Sequence, residues 1–189
     1  MKRILIVGAG GQIGSELTTY LRKIYGASNV VATDVRECGK LAEGGPFEVL
    51  NALDAKAMAS VVERYKIDAI FNLVALLSAV GEKNPQTAWN INIGALMNAL
   101  EVAREYGCAL FTPSSIGAFG PTSPKDKTPQ DTIMQPTTIY GVCKVTGELL
   151  GNYYFQRYGV DTRSVRFPGI ISNLSLIHIS EPTRLRCIS

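Results

Sequence analysis

Histidine is all but missing: among 189 residues only His178 is one. A serine–histidine nucleophile pair and a histidine-held zinc both need imidazole, so both are excluded for the body of the chain, and no metal is expected. Cysteine is scarce too, at 38, 108, 143 and 187 with no C-x-x-C spacing, which gives neither a zinc knuckle nor a disulfide framework. The net charge of +3 is spread without a basic run, so the clustered footprint of a nucleic-acid binder is absent and no nucleic-acid partner is expected. No apolar stretch is long enough to span a bilayer, and no membrane partner is expected either. The first strand-like run, Arg3 to Val7, begins almost at Met1 and is cut short by glycine. That leaves no succession typical of a secretory leader and points to a cytoplasmic location.

The last residues stand apart. Leu174 to Arg184 is, residue for residue, the translation of a transposase-type sequencing adapter, and Ile188-Ser189 fits its further reading. Residues 174–189, His178 included, are therefore read as an artefactual tail and left out of fold reasoning. The genuine part is expected to end near Asn173, short of the length such a fold needs.

With 46% apolar residues there is enough material for one globular domain. Short apolar runs alternate with longer helical periods: strands near 3–7, 29–33, 69–74, 109–112 and 162–166, helices near 12–25, 55–65, 86–106 and 140–158. Repeated strand–helix–strand units with nearly continuous apolar strands, such as Ala69 to Val74, predict an α/β fold, a doubly wound parallel sheet of Rossmann-like type, incomplete at its carboxyl end. From Thr112 to Ile139 the rhythm breaks at Pro113, Pro121, Pro124, Pro129 and Pro136. This predicts a long loop at the edge of the sheet where ligands bind.

Gly8, Gly11 and Gly14 form G-x-x-G-x-x-G between the first strand and the first helix. Such a turn allows a close backbone approach to a pyrophosphate at a helix amino terminus. Asp34 ends the second strand twenty residues on, where a carboxylate accepts from ribose hydroxyls and repels a 2′-phosphate. The preference is for NAD over NADP, although Arg36 lies two residues on and could meet a 2′-phosphate. Tyr140 and Lys144 are four apart, one turn of a helix, so the ammonium should stand near the phenol and lower its pKa toward the range of a general base. A solvated helix face shows the same spacing; the position straight after the long loop favours the chemical reading.

Taken with Ser115 upstream of Tyr140-x-x-x-Lys144, the glycine turn resembles the extended short-chain dehydrogenase/reductase family over essentially all of residues 1–173. The resemblance implies that Ser115 orients the substrate oxygen, that Tyr140 is the acid/base, and that Lys144 tunes Tyr140 and binds the nicotinamide ribose. It further implies NAD contacts at Gly8, Gly11, Gln12, Ile13, Gly14, Asp34, Val35, Arg36, Asn51, Ala52, Leu73, Ala75, Asn92, Tyr140, Lys144, Gly169 and Ile170. Asn51 is a departure, since an acidic residue usually meets the adenine amine there.

Within the family, the segments Ala75 to Glu82, Ser115 to Pro124, Thr138 to Gly141 and Arg166 to Ser172 are similar to the threonine dehydrogenase branch. That branch implies oxidation of L-threonine at its β-carbon to 2-amino-3-oxobutanoate, with hydride passing to NAD⁺. Ser78, Ser114, Ser115 and Tyr140 are then the candidates to hold the substrate, and the full-length form is expected to be a homodimer. Two alternatives stay open: a nucleotide-sugar epimerase or dehydratase of the same family, and a non-catalytic dinucleotide-binding domain.

Overall fold

The chain alternates strand and helix in the order β1 (Ile4–Val7), α1 (Gln12–Tyr25), β2 (Val30–Asp34), α2 (Gly39–Glu43), β3 (Phe47–Val49), α3 (Ala55–Tyr65), β4 (Ala69–Asn72), α4 (Ser78–Gly81), α5 (Pro85–Tyr106), β5 (Ala109–Phe111), β6 (Ser114–Ser115), α6 (Ile139–Tyr158), β7 (Thr162–Arg163) and β8 (Arg166–Phe167). The computed structural model describes residues 3–170. The tail assigned to 174–189, with His178 and Cys187, lies outside the described residues, as do Ile171 and Ser172.

Six strands form one parallel sheet in the order β3-β2-β1-β4-β5-β7. The expected doubly wound parallel sheet is the observed one. Side-chain alternation along β1 builds both layers of the core: Leu5 and Val7 join one apolar cluster, Ile4 and Ile6 the other. Met58 and Val62 of α3, Leu96 and Leu100 of α5 and Tyr154 of α6 close the first layer, while Leu21 of α1 and Leu41 of α2 close the second. Each fully buried aliphatic side chain contributes roughly 1.5–3 kcal/mol. Asp54, Asn84 and Thr138 cap α3, α5 and α6 by accepting from Ala57, Thr87 and Gly141 amides. Among the described residues no helix is long and apolar enough to cross a membrane.

The direction of strand succession reverses between β1 and β4, so the chain diverges beyond their carboxyl ends and leaves a crevice there. The strand expected over 162–166 is instead divided. β5 carries on past Pro113 into β6, and the amides of Leu110, Thr112 and Ser114 donate in turn to the carbonyls of Asp161, Arg163 and Val165. On the β4 side Pro113 has no N–H to give, and beyond it β6 pairs, among the described residues, with β8 alone. The loop from 119 to 138 is held by its own bonds: Ser123 Oγ donates to the Ile133 carbonyl and accepts from the Gly120 amide. A Cβ on Gly120 would lie 1.8 Å from the Gln135 carbonyl oxygen.

Candidate active site

The glycine turn is built around close backbone contacts. Gly8 has φ +82°, a region L side chains rarely adopt, and a Cβ on Gly14 would stand 2.4 Å from the Gly8 carbonyl oxygen and 2.7 Å from Ala9 Cα. No side chain caps α1, which begins behind Gly11, so its first-turn N–H groups keep the arrangement that suits an anion. At the first residue of α1, Gln12 Nε2 is buried without a partner, a donor that a phosphate oxygen would satisfy. Asp34 lies beside the turn and its Oδ2 accepts from the Gly10 amide at 2.9 Å. Val35 and Arg36 are exposed on the rim. These residues fit a dinucleotide: a cradle that side chains would fill, an orphan donor and a carboxylate at the end of β2.

The remaining implied contacts are distributed around the same crevice. Leu73 and Ala75 belong to the segment after β4, which is tied down by Asn92. The Asn92 side chain accepts from the Leu76 amide at 2.6 Å and donates to the Leu76 carbonyl at 3.1 Å, so its amide group shapes the crevice wall by pairing with backbone. Asn51 Oδ1 accepts from the Leu53 amide at 3.0 Å, and Ala52 is buried in the core with only its backbone left for a ligand. Gly169 and Ile170 are exposed just after β8.

Ser115, Tyr140 and Lys144 come together. Gly141 makes this possible: a Cβ there would lie 2.3 Å from the Gly117 carbonyl oxygen, so α6 seats directly on the 3-10 turn Ile116–Ala118 that follows Ser115. The Ser115 hydroxyl lies close enough to the Tyr140 phenol to favour its ionised form. Lys144 Nζ lies over the Tyr140 ring, 5.3 Å from its centre, and donates to the Pro113 carbonyl at 2.7 Å.

The expected effect of the lysine on the phenol requires a correction. Burial holds the Tyr140 phenol above its ordinary value, and the Ser115 hydroxyl only partly offsets this. Lys144 sits over the ring face rather than at the oxygen, and burial pulls its own pKa down to about 8.

Ser114 and Ser78 are not equivalent to Ser115. Ser114 is 4% exposed and its hydroxyl donates to Glu148 Oε1 at 2.5 Å, which commits it to α6. Ser78 opens α4, a short helix joined to the start of α6 by the Glu82 carboxylate, which accepts from the Ile139 amide at 2.7 Å. The sequence reading missed Glu148, Arg166 and Asn72. Glu148 binds Arg166 through both carboxylate oxygens. Burial alone would raise the Glu148 carboxyl, but hydrogen bonds from Arg166 and Ser114 and the Arg166 charge outweigh it and hold the group below its ordinary value. Asn72, Lys144, Glu148 and Ser114 border a cavity of about 20 Å³, room for one water, and Asn72 Oδ1 is buried there without a protein partner. Helical spacing alone, Tyr140, Lys144 and Glu148 at four-residue steps, could have singled out Glu148.

Residues 4–181 match the model of the NAD dependent epimerase/dehydratase family. An uncharacterized epimerase/dehydratase of Staphylococcus saprophyticus is 58% identical over 184 residues, which cover 96% of this chain and 56% of that one. Among solved structures, L-threonine dehydrogenase from Clostridium difficile superposes with a TM-score of 0.88 at 53% identity, covering 91% of this chain and 55% of the other. The holo form of an L-threonine dehydrogenase from Cupriavidus necator gives 0.87 at 52% identity, covering 90% and 56%. The chain thus spans a little over half the length of the relatives it matches.

Proposed function

The chain belongs to the NAD dependent epimerase/dehydratase family, and from that premise we propose that the whole protein is an NAD-dependent oxidoreductase that converts L-threonine to 2-amino-3-oxobutanoate. The observation that carries the enzyme reading is the convergence of Ser115, Tyr140 and Lys144 beside a fitting dinucleotide cradle. A domain that only bound a dinucleotide would need the cradle and could do without the three side chains. Threonine is favoured over a sugar nucleotide by the likeness to the two threonine dehydrogenase structures.

In this reading the Gly8–Gly14 turn holds the pyrophosphate and Asp34 the adenosine ribose. When bound, NAD⁺ supplies the acceptor for the two electrons and the hydrogen that leave the substrate β-carbon. Tyr140 takes the proton from the substrate hydroxyl, and the Ser115 hydroxyl stabilises the phenolate that must form first. Because burial holds the phenol high, deprotonation is the demanding part, and the rate should rise with pH through the neutral range. Lys144, with a pKa of about 8, can change charge within that range.

The test uses residues 1–173 continued by the remaining length of the Staphylococcus relative. L-Threonine should drive NADH formation, and Tyr140→Phe should reduce turnover by about 10²–10⁴-fold while NAD⁺ binding is kept. Turnover of Tyr140→Phe within a few-fold of the parent would remove Tyr140 as the base. Conversion of UDP-sugars without any threonine oxidation would move the protein to the epimerase side of its family.

A further inference from the structure

Glu148 lies where three parts of the site meet. It follows Lys144 by four residues and Tyr140 by eight on α6, so the three share one face of the helix. Arg166 Nε donates to Glu148 Oε1 at 2.9 Å and Arg166 Nη2 to Oε2 at 2.7 Å, while the Ser114 hydroxyl donates to Oε1. Ser114 and Arg166 are themselves register partners across β6 and β8. One carboxylate therefore fastens both strands to α6 at a single rung. The next residue along β6 is Ser115, whose hydroxyl lies beside Tyr140, the two side chains flanking Gly117.

The fastening is well defined. The Arg166 and Glu148 side chains are 16% and 14% exposed, and a paired-oxygen contact of this kind fixes orientation as well as distance. Arg166 also donates through Nη1 to the Gln130 carbonyl at 3.0 Å and lies over the Phe119 ring, so the 119–138 loop depends on the same guanidinium. Lys144 is one turn from Glu148 yet donates elsewhere, to Pro113. The carboxylate is committed to Arg166 and Ser114.

We propose that Glu148, held by Arg166, is a positioning residue that sets the contact between Ser115 and Tyr140. It acts through Ser114 and the short strand β6. The inference rests on the reading of Tyr140 as proton acceptor but not on the identity of the substrate. Loss of the fastening lets β6 shift against α6, and the Ser115 hydroxyl then no longer donates squarely to the phenolate.

The titration of Tyr140 reports this contact without any substrate. Fluorotyrosine incorporated into the chain makes the phenols more acidic, so that they titrate below alkaline unfolding, and Tyr140→Phe identifies the Tyr140 fluorine resonance. Midpoints are compared in a cycle of four proteins: parent, Glu148→Gln, Ser115→Ala and the double variant. Removing the Glu148 charge changes the field at Tyr140 in both backgrounds, so that contribution cancels in the cycle. The coupling that remains is expected to be roughly one pH unit, comparable to the effect of Ser115→Ala itself. Additive midpoints would overturn the proposal, since a merely structural or electrostatic role gives no coupling through Ser115. Should Glu148→Gln fail to fold, Ser114→Ala, which keeps both charges, completes the same cycle with a smaller coupling, and additivity there is equally decisive against it. Coupling without threonine oxidation in the extended protein would leave the positioning role standing and remove the substrate assignment; threonine oxidation with additive midpoints would do the reverse.

Discussion

Replacing Lys144 by methionine should make the fold more stable while removing function. The lysine is half-buried, it meets a carbonyl and a ring face, and loss of water takes its pKa from the ordinary 10.5 to about 8. Because the folded value lies below the unfolded one, the unfolded chain binds more protons between about pH 8 and pH 10.5, and stability of the parent climbs with pH across that window. Below about pH 8 the cost of burying the charge is present in full, on the order of 3 kcal/mol at one pKa unit per 1.36 kcal/mol. Methionine has nearly the same length and carries no charge, but it leaves the Pro113 carbonyl without its donor, a loss of about 1 kcal/mol. The expected net gain near neutral pH is therefore roughly 2 kcal/mol, or about 4–8 °C in Tm for a chain of this size. Urea unfolding at about pH 7 and about pH 9.5 should show a gain that is larger at the lower pH. A methionine variant less stable than the parent at neutral pH, or a gain of the same size at both, would refute the reasoning. The same variant should lose NAD⁺ affinity and turnover in the extended protein, because Lys144 is assigned to the nicotinamide ribose and to Tyr140.

Further outcomes follow from the cradle. Gly14→Ala drives a methyl into the Gly8 and Ala9 backbone and should cost about 1–3 kcal/mol and abolish measurable NADH binding by fluorescence, whereas Gly39→Ala, with nothing within 4 Å, should leave binding unchanged. NADH binding by Gly14→Ala at parental affinity would show that the turn yields. Asp34→Ala should weaken NAD⁺ about tenfold or more, since it deletes a charged acceptor and releases the Gly10 amide, while Asp131→Ala should not. Titration giving NADP⁺ an affinity equal to that of NAD⁺ in the parent would withdraw the role given to Asp34. Gly141→Ala should separate α6 from the turn after Ser115 and reduce turnover of the extended protein with less effect on NAD⁺ binding, because its Cβ would collide with the Gly117 carbonyl and not with the cradle.

What could be read along the chain was whatever a short stretch determines by itself. The long helices announced themselves by period, the glycines by their spacing, and Tyr140 with Lys144 by one turn of helix; all of these depend on neighbours within a few residues. The elements that escaped, α2, β3 and α4, are three to five residues long, too short for a period to show. The break between β7 and β8 escaped because it exists only in their pairing with β5 and β6, about fifty residues earlier in the chain.

The amino-acid sequence by itself determined the fold class, the glycine turn and the identity of the three side chains proposed for the chemical centre. Only the tertiary structure decided their electrostatics. Whether Lys144 would act on the phenol oxygen or on the ring face, and whether burial or the lysine would dominate the phenol, depended on Pro113 and on the walls that exclude water. The same holds for Ser114, whose hydroxyl is turned to Glu148 thirty-four residues away, and for Asn92, which serves the Leu76 backbone. Hydrogen-bond partners and burial are set by segments far apart in sequence, and a charge feels both, so roles that depend on them become definite only once the sheet has brought those segments together.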